Sequence, residues 1–198
     1  TMNRSALSAV FNPEDLNALE MALQVRDRYG GQVTVMTMGP PQAAEALRGA
    51  LHRGADRVLL LSDRKFAGAD TLATSYTLTC AIEKLGNYDL IFCGRQAIDG
   101  DTAQVGPQTA EKLGVPQITY AETIVNLEGD EVVVRRRHPN GDIEQLDCAL
   151  AGIGADAAVV FGARVYANGQ LIARGEVVVV DDQFGVQVTE LCRPVGAG

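Results

Sequence analysis

The sequence predicts an α/β fold in which a Rossmann-like parallel sheet is followed by a C-terminal β-hairpin extension. The first observation is that short apolar runs at residues 32–38, 57–61 and 90–93 alternate with helical patterns, as in βαβ units with parallel strands. The second is a change of rhythm from Glu131 onward, where β segments flank Asn-Gly pairs that favour tight turns.

Length and composition narrow the possible functions. A chain of 198 residues can bury one sizeable α/β core and carry a small appendage. The net charge of −8 argues against nucleic acid and anionic membranes as partners. Four widely spaced cysteines without a CxxC pair predict neither a zinc nor an iron–sulfur site, and they fit a cytoplasmic protein with reduced thiols. With no signal peptide and no long apolar run, we expect no export and no membrane span.

Helix starts and faces can be assigned in the first half of the chain. Asn12 and Pro13 suit the cap and first turn of a helix that ends at Gly30, and Glu14 and Asp15 complement its dipole. A second helix ends at His52, which we expect to be exposed rather than a metal ligand. Its predicted apolar face consists of Ala43, Leu47, Ala50 and Leu51. A third helix begins at Asp70, and its predicted inward face consists of Leu72, Tyr76, Leu78, Ile82 and Leu85.

The central feature is residues 88–116, where a buried strand at 90–93 leads through a loop at 94–101 into a helix at 103–113. Backbone N–H groups at such a helix start point at one spot, which favours a phosphate or pyrophosphate. A plain structural turn explains the glycines equally well. Asp99 and Asp101 disfavour a bare phosphate unless they cap the helix or hold a ribose hydroxyl. Neither a P-loop nor a GxGxxG fingerprint is present.

The C-terminal third is predicted to be mostly β structure. After a strand at 117–125, a hairpin spans residues 131–149 around Asn140 and Gly141, and a second hairpin turns at Asn168 and Gly169. The basic cluster at 135–138 is interpreted as an exposed strand end. The valines at 177–180 give the strongest β signal. Residues 157–161 could supply a further buried strand.

Five motifs in order resemble the β subunit of electron-transfer flavoproteins. They are CGRQAIDGDTAQVGPQTAEKLGVPQITY at 93–120, FNPEDLNALEMAL at 11–23, VTVMTMGPP at 33–41, GADRVLLLSD at 54–63 and FAGADTLATS at 66–75. The resemblance covers about residues 1–147 and is nearest to the FixA-like, electron-bifurcating branch. The family's first strand, which precedes residue 1, and its partner-docking loop, which follows the position of Cys148, have no counterpart in this sequence.

The resemblance implies an adenine-nucleotide-hydrolase-like sheet that binds AMP or FAD and passes electrons with an α subunit. It further implies an acyl-CoA dehydrogenase or ferredoxin-type redox partner, and no catalytic residue of its own. The residues implied to bind the cofactor are Asn12, Pro13, Glu14, Asp15, Met38, Asp70, Thr71, Thr74, Gly94, Arg95, Gln96, Ala97, Ile98, Asp99, Gly100, Asp101, Thr102, Ala103, Gln104 and Val105. For the group at 70–74, a capped helix facing the sheet is an equal alternative.

The tail resembles a different family. Residues 165–191, with NGQLIARGEVVVVDDQFGVQVTE, are similar to the C-terminal half of the SpoA fold of flagellar motor-switch and type III secretion proteins. This second resemblance favours a chimera, with a nucleotide-binding domain at 1–150 and a β-rich half-domain or strand-supplying tail at 151–198. The alternative is that residues 150–198 are a divergent tail of the first family. The alternative function is a non-catalytic scaffold whose tail mediates self-association, because an exposed strand edge pairs readily with another chain.

Overall fold

The computed structural model describes residues 10–86, 88–129 and 131–149, together with the backbone of later strands at 158–162, 166–167, 170–171, 173–180 and 183–191. The helices of this part are α1 (Pro13–Tyr29), α2 (Ala44–His52), α3 (Thr71–Leu85) and α4 (Val105–Leu113). The strands are β1 (Thr34–Met38), β2 (Arg57–Leu61), β3 (Leu90–Gly94), β4 (Gln117–Glu128), β5 (Glu131–Arg137), β6 (Ile143–Ala149), β7 (Ala158–Gly162), β8 (Tyr166–Ala167), β9 (Gln170–Leu171), β10 (Ala173–Val180) and β11 (Gln183–Leu191).

The strands form one five-stranded sheet and three two-stranded sheets. The large sheet has the order β3-β7-β4-β5-β6, in which β7 runs parallel to both β3 and β4, while β4, β5 and β6 are antiparallel neighbours. Strands β1 and β2 form a separate parallel pair. The pairs β8-β9 and β10-β11 are antiparallel. The predicted α/β class and its C-terminal hairpin are confirmed.

Strand β7 occupies an interior position of the large sheet. The predicted strand at 157–161 is formed by Ala158–Gly162, inserted between β3 and β4. Ala157 lies outside the described residues, as do Asn168 and Gly169, although the β8 and β9 strands that they would join are antiparallel. The tail therefore contributes a parallel strand to the sheet that carries the central loop.

Helix α1 connects the two parallel regions. Its Leu19 and Leu23 are buried with Val33 and Ala50, on the side of β1 and α2. Its Met21 and Val25 instead pack against the core of the large sheet. That core includes Ile118, Ala121, Ile124, Val132 and Val134. The predicted start of α1 is confirmed, with an extended Asn12 before Pro13 and an end at Gly30.

The predicted inward face of α3 is wrong for three of its five residues. Leu72, Tyr76 and Leu85 are exposed, and the buried positions are Ser75, Thr79 and Ile82. The reason is that α3 packs closely on α4, where the Ser75 hydroxyl donates to Oε1 of Gln108 at 3.2 Å. Small polar residues allow this close helix contact, so packing prevails over the apolar pattern.

Other predictions needed smaller corrections. Leu51 of α2 is 41% exposed, whereas Leu47 and Ala50 are buried as expected. Helix α4 begins at Val105 rather than at residue 103. Strand β4 continues to Glu128 rather than ending at 125, because it pairs with β5 along the predicted hairpin. That hairpin is confirmed by the antiparallel β5-β6 pair.

Candidate functional site

The start of α1 lies directly against the end of β3. The backbone N–H of Gly94 donates to Oδ1 of Asp15 at 2.8 Å, and the N–H of Gln96 donates to Oε2 of Glu14 at 3.2 Å. Glu14 also forms an ion pair with Arg95 at 3.1 Å. These contacts hold residues 94–96, the front half of the loop, against the helix. Two N–H groups that were predicted from the sequence to donate to a phosphate are thus hydrogen-bonded to carboxylates.

Gly94 is required by this close approach. A Cβ atom added there would lie 2.5 Å from Oδ1 of Asp15 and 2.7 Å from its backbone nitrogen. Real Cβ atoms do not come so near to backbone atoms, so any side chain at this position would push α1 away from β3. The glycine therefore serves the packing of α1.

Asn12 presents an unpaired acceptor at the same place. Its Nδ2 donates to the carbonyl oxygen of Gln96 at 2.8 Å and to Oδ2 of Asp15 at 2.9 Å. Both partners are acceptors, which fixes the orientation of the amide. Its Oδ1 is buried and has no hydrogen-bond partner within the described part of the chain. A buried acceptor without a donor is costly, so this atom is suited to accept from a ligand hydroxyl or amine.

The rear half of the loop, residues 100–104, leads to the start of α4 at Val105 and has an unusual backbone. Asp101 and Ala103 have φ angles of 49° and 53°, in the left-handed region that favours glycine. Gln104 then returns to the right-handed region, with φ of −102°, and no side chain caps α4. A left-handed residue followed by a right-handed one turns successive N–H groups towards one point. This arrangement at a helix start suits an anion.

The start of α3 lies beside this rear half. The Thr71 hydroxyl donates to Oε1 of Gln104 at 2.9 Å, and Nε2 of Gln108 approaches the same hydroxyl at 3.4 Å. Asp70 accepts from the N–H of Ala73 at 2.8 Å and so caps α3, as the structural alternative predicted. Thr74 is partly buried on the same helix.

Two ionisable groups at the site have shifted pKa values. Burial raises the pKa of Glu14 above its usual value, against the opposing effect of the Arg95 guanidinium. Burial, with the Asp15 charge adding to it, raises the pKa of the Cys93 thiol to about 12. Cys93 therefore stays protonated at neutral pH and is a poor nucleophile. Within the described residues, no group of three His, Cys, Asp or Glu side chains is placed to hold a metal ion.

The predicted site residues fall into three groups. Asn12, Glu14 and Asp15 contact the front half of the loop, and Thr71 contacts Gln104 at its rear. Met38 ends β1, which belongs to the separate two-stranded sheet. The remaining residues line the turn between β3 and α4 or flank the helix starts, at Pro13, Ala97, Ile98, Asp99, Gly100, Thr102 and Val105.

The sequence missed two residues at this end of the sheet. Gln108 contacts α3 one turn after Gln104 does, through Ser75. The two glutamines are four residues apart, a spacing that places them on the same face of α4 and could have been recognised in the sequence. Tyr120 has a φ of 58°, which no pattern in the sequence indicated. Gln108 lies close to the loop along the chain, and Tyr120 lies close to it in the sheet.

Features elsewhere on the surface have structural partners. In the basic cluster, Arg136 and His138 both contact Glu144, at 2.7 and 2.8 Å. Arg137 pairs with Glu122 at 2.5 Å. His52 is exposed in the last turn of α2. No helix in the described part of the chain is long and apolar enough to cross a membrane.

Two family models match the chain. The electron transfer flavoprotein domain matches residues 1–149. The C-terminal region of the type III flagellar switch regulator FliN, a C-ring protein, matches residues 162–193. The two resemblances seen in the sequence are thereby confirmed, and the chain joins a stretch similar to one family to a stretch similar to another.

Individual relatives are similar to the same part of the chain that the electron transfer flavoprotein model matches. The electron transfer flavoprotein subunit beta of Thermoanaerobacterium thermosaccharolyticum is 56% identical over 141 residues, which is 71% of this chain and 54% of the relative. The acryloyl-CoA reductase electron transfer subunit gamma of Anaerotignum propionicum is 54% identical over 71% of this chain and 53% of its own length. Protein FixA of Azorhizobium caulinodans is 47% identical over 90% of this chain and 66% of its own length, so that alignment extends into the tail. The chain spans about half the length of the first two relatives.

Proposed function

Because the chain belongs to the electron transfer flavoprotein family, we propose that the loop between β3 and α4, with the starts of α1 and α3, binds an adenine nucleotide, AMP or FAD. The observation that carries this proposal is the buried, unpaired Oδ1 of Asn12 beside the front half of the loop. A ribose hydroxyl or the adenine amino group would supply the donor that this oxygen lacks.

The phosphate would bind at the rear half of the loop. The N–H groups from Ala103 to Gly106 are the donors, because the left-handed Ala103 precedes an uncapped helix start. The nearby acids do not oppose an anion strongly. Asp15 already accepts from Gly94 and Asn12, Glu14 is paired with Arg95, and Asp101 accepts from the Gln96 amide. The residues present therefore fit a phosphate together with a ribose or adenine.

The wider role proposed is that of an electron-transfer subunit acting with an α-type partner. FAD, when bound, supplies the electron-carrying flavin, while this chain supplies position and electrostatics. Support comes from relatives named as electron transfer flavoprotein subunit beta and as electron transfer subunits of CoA-ester reductases. A complete flavin site would need the α-type subunit, and an acyl-CoA dehydrogenase or a ferredoxin-type protein would exchange electrons with the pair.

Ligand release and titration test the nucleotide proposal. The purified chain is denatured, the released small molecules are identified by mass spectrometry, and thermal melts are recorded with AMP, ADP and FAD. We expect either a stoichiometric adenine nucleotide or a thermal shift, and Asn12→Ala should bind several-fold more weakly. Asn126→Ala, which removes an exposed asparagine of β4, is the matched control and should bind as the parent does. Absence of both nucleotide and shift would refute the proposal.

A second candidate function is self-association through the part of the tail that follows β7. The observation that favours it is the register of β10 and β11, which form a two-stranded sheet of their own. This register places Val177 opposite Val186, and Val179 opposite Phe184, on one face. Glu176 and Gln187 are opposite each other on the other face. A two-stranded sheet with one apolar face is not stable alone and needs a cover.

Charge placed on either face tests this candidate. Val186→Lys puts a charge on the apolar face, and Gln187→Lys puts the same charge one residue later on the opposite face, which mixes Glu176 and Gln183 with Val178 and Val180. If two copies associate through the apolar face, light scattering should show that Val186→Lys alone lowers the molar mass. Equal masses for the parent and both variants would reject the self-association role.

A further inference from the structure

Non-glycine residues with left-handed backbone angles lie together at one edge of the large sheet. Among the described residues, three non-glycine positions have positive φ: Asp101, Ala103 and Tyr120. The first two are in the loop after β3. Tyr120 lies in β4, where the parallel pairing with β7 shifts register between Ile118 and Ala121. Strained residues of this kind cluster at functional sites, because they persist only where the surroundings hold them.

The register places Tyr120 level with the loop. Gly94 of β3 is opposite Gly162 of β7, and Gly162 is opposite Ala121 of β4. Adjacent strands are about 4.8 Å apart, so Tyr120 lies roughly 10 Å along the sheet edge from the start of the loop. Strand β7 separates it from Gly94, whereas Asn12 contacts Gln96 directly.

A tyrosine is an unexpected choice for this bend. One extra residue in β4, between Ile118 and Ala121, forms a bulge in the parallel pairing with β7. Glycine suits a left-handed bulge position and a bulky residue does not. Tyr120 is 37% exposed, and its hydroxyl makes no side-chain hydrogen bond within the described part of the chain. No hydrogen bond of the hydroxyl therefore accounts for a tyrosine at this bend.

We propose that Tyr120 contacts the far half of a bound dinucleotide, by stacking on its flavin ring, and so favours FAD over AMP. This inference rests on the proposed function, in which Asn12 and the start of α4 hold the adenine nucleotide half. A mononucleotide held there occupies the side of β3 next to α1. A dinucleotide extends past its phosphates and can reach beyond β7 to the exposed ring. Stacking on an aromatic ring would favour the flavin without using the loop's N–H groups.

Substitutions that separate the effect of the ring from that of the left-handed backbone test this proposal in the whole chain of 198 residues. Tyr120→Phe keeps the ring, whereas Tyr120→Gly removes it and relieves the left-handed backbone. Calorimetric titrations with FAD and with AMP are combined with thermal melts. We expect Tyr120→Phe to bind both ligands as the parent does. Tyr120→Gly should lose about tenfold in FAD affinity, keep its AMP affinity within twofold, and melt at the same temperature or about 2–4 °C higher.

Each alternative gives a different result. FAD affinity unchanged in Tyr120→Gly would mean that the tyrosine serves only the bend, and equal losses for FAD and AMP would mean that it acts through the shape of the site. A melting temperature lowered by several degrees would mean that the ring packs within the fold. Each of these results overturns the proposal. If the parent binds neither ligand, the proposed function fails and this inference fails with it, whereas retained AMP binding with an unchanged FAD preference refutes the role of Tyr120 alone.

Discussion

The two halves of the loop after β3 differ in what occupies their backbone N–H groups. In the front half, Gly94 and Gln96 donate to the carboxylates of Asp15 and Glu14. In the rear half, Asp101 and Ala103 are left-handed, and α4 begins without a side-chain cap. The front half therefore holds α1 in place. In the rear half, the N–H of Asp101 donates to the carbonyl oxygen of Ala97 at 3.0 Å, and the N–H groups from Ala103 onward are the ones proposed to bind a ligand.

The largest effect on stability is expected from Gly94→Ala. The added Cβ would lie 2.5 Å from Oδ1 of Asp15 and 2.7 Å from backbone atoms of α1. Overpacking of this kind costs about 2–3 kcal/mol of unfolding free energy. Urea unfolding of Gly94→Ala and Gly100→Ala compares the two halves directly, since a Cβ at Gly100 meets no atom within 4 Å. Similar midpoints for both variants would remove the distinction between the halves.

A smaller effect of opposite sign is expected from Ala103→Gly. Glycine relieves the left-handed backbone at φ 53° but gains more freedom in the unfolded chain. We expect a net stabilisation of about 0.5–1 kcal/mol, together with weaker nucleotide binding because the N–H groups are less well preorganised. Chemical denaturation and titration with AMP measure the two changes. A loss of stability would show that the rear half is not strained.

The smallest effect concerns the pH dependence that Glu14 contributes. Burial raises its pKa in the folded protein above the unfolded value, so between these two values the folded state holds more protons. The contribution of Glu14 to stability is then full below the unfolded pKa and falls as pH rises through the folded pKa. As pH is lowered from 7 to 4.5, the free energy of unfolding of the parent should rise relative to that of Glu14→Gln, by less than about 1 kcal/mol. Parallel unfolding curves at each pH measure the difference, and a relative loss at low pH would contradict the assigned direction.

Local chemistry explains which parts of the molecule the sequence could predict. The start of α1 follows from adjacent cap, proline and acidic residues, and the β5-β6 hairpin follows from Asn140 and Gly141. The exposed face of α3 could not be predicted in this way, because the partner that selects Ser75 and Thr79 is a helix thirty residues later.

The same distinction applies to the site. The chain segments at the site were predicted, since strand ends and helix starts meet at one edge of a parallel sheet. Which N–H groups are already bonded was not predictable, because Asp15 and Gly94 are 79 residues apart in the chain. The left-handed angle of Tyr120 also depends on a strand that lies far along the chain, because it falls at the register shift in the pairing of β4 with β7.

If the rear half of the loop binds a nucleotide phosphate through its backbone, as we claim, Gly100→Val should weaken nucleotide binding without lowering stability. Gly100 has space around it and no left-handed angle, so valine should leave the thermal melting temperature nearly unchanged. A branched side chain in the loop would nevertheless block the approach of a phosphate to the N–H groups. Calorimetric titration with AMP should show binding by the parent and a loss of at least about tenfold in Gly100→Val, of the size expected when one charge-assisted hydrogen bond is lost. Equal affinity in the two proteins, at equal melting temperature, would contradict the claim.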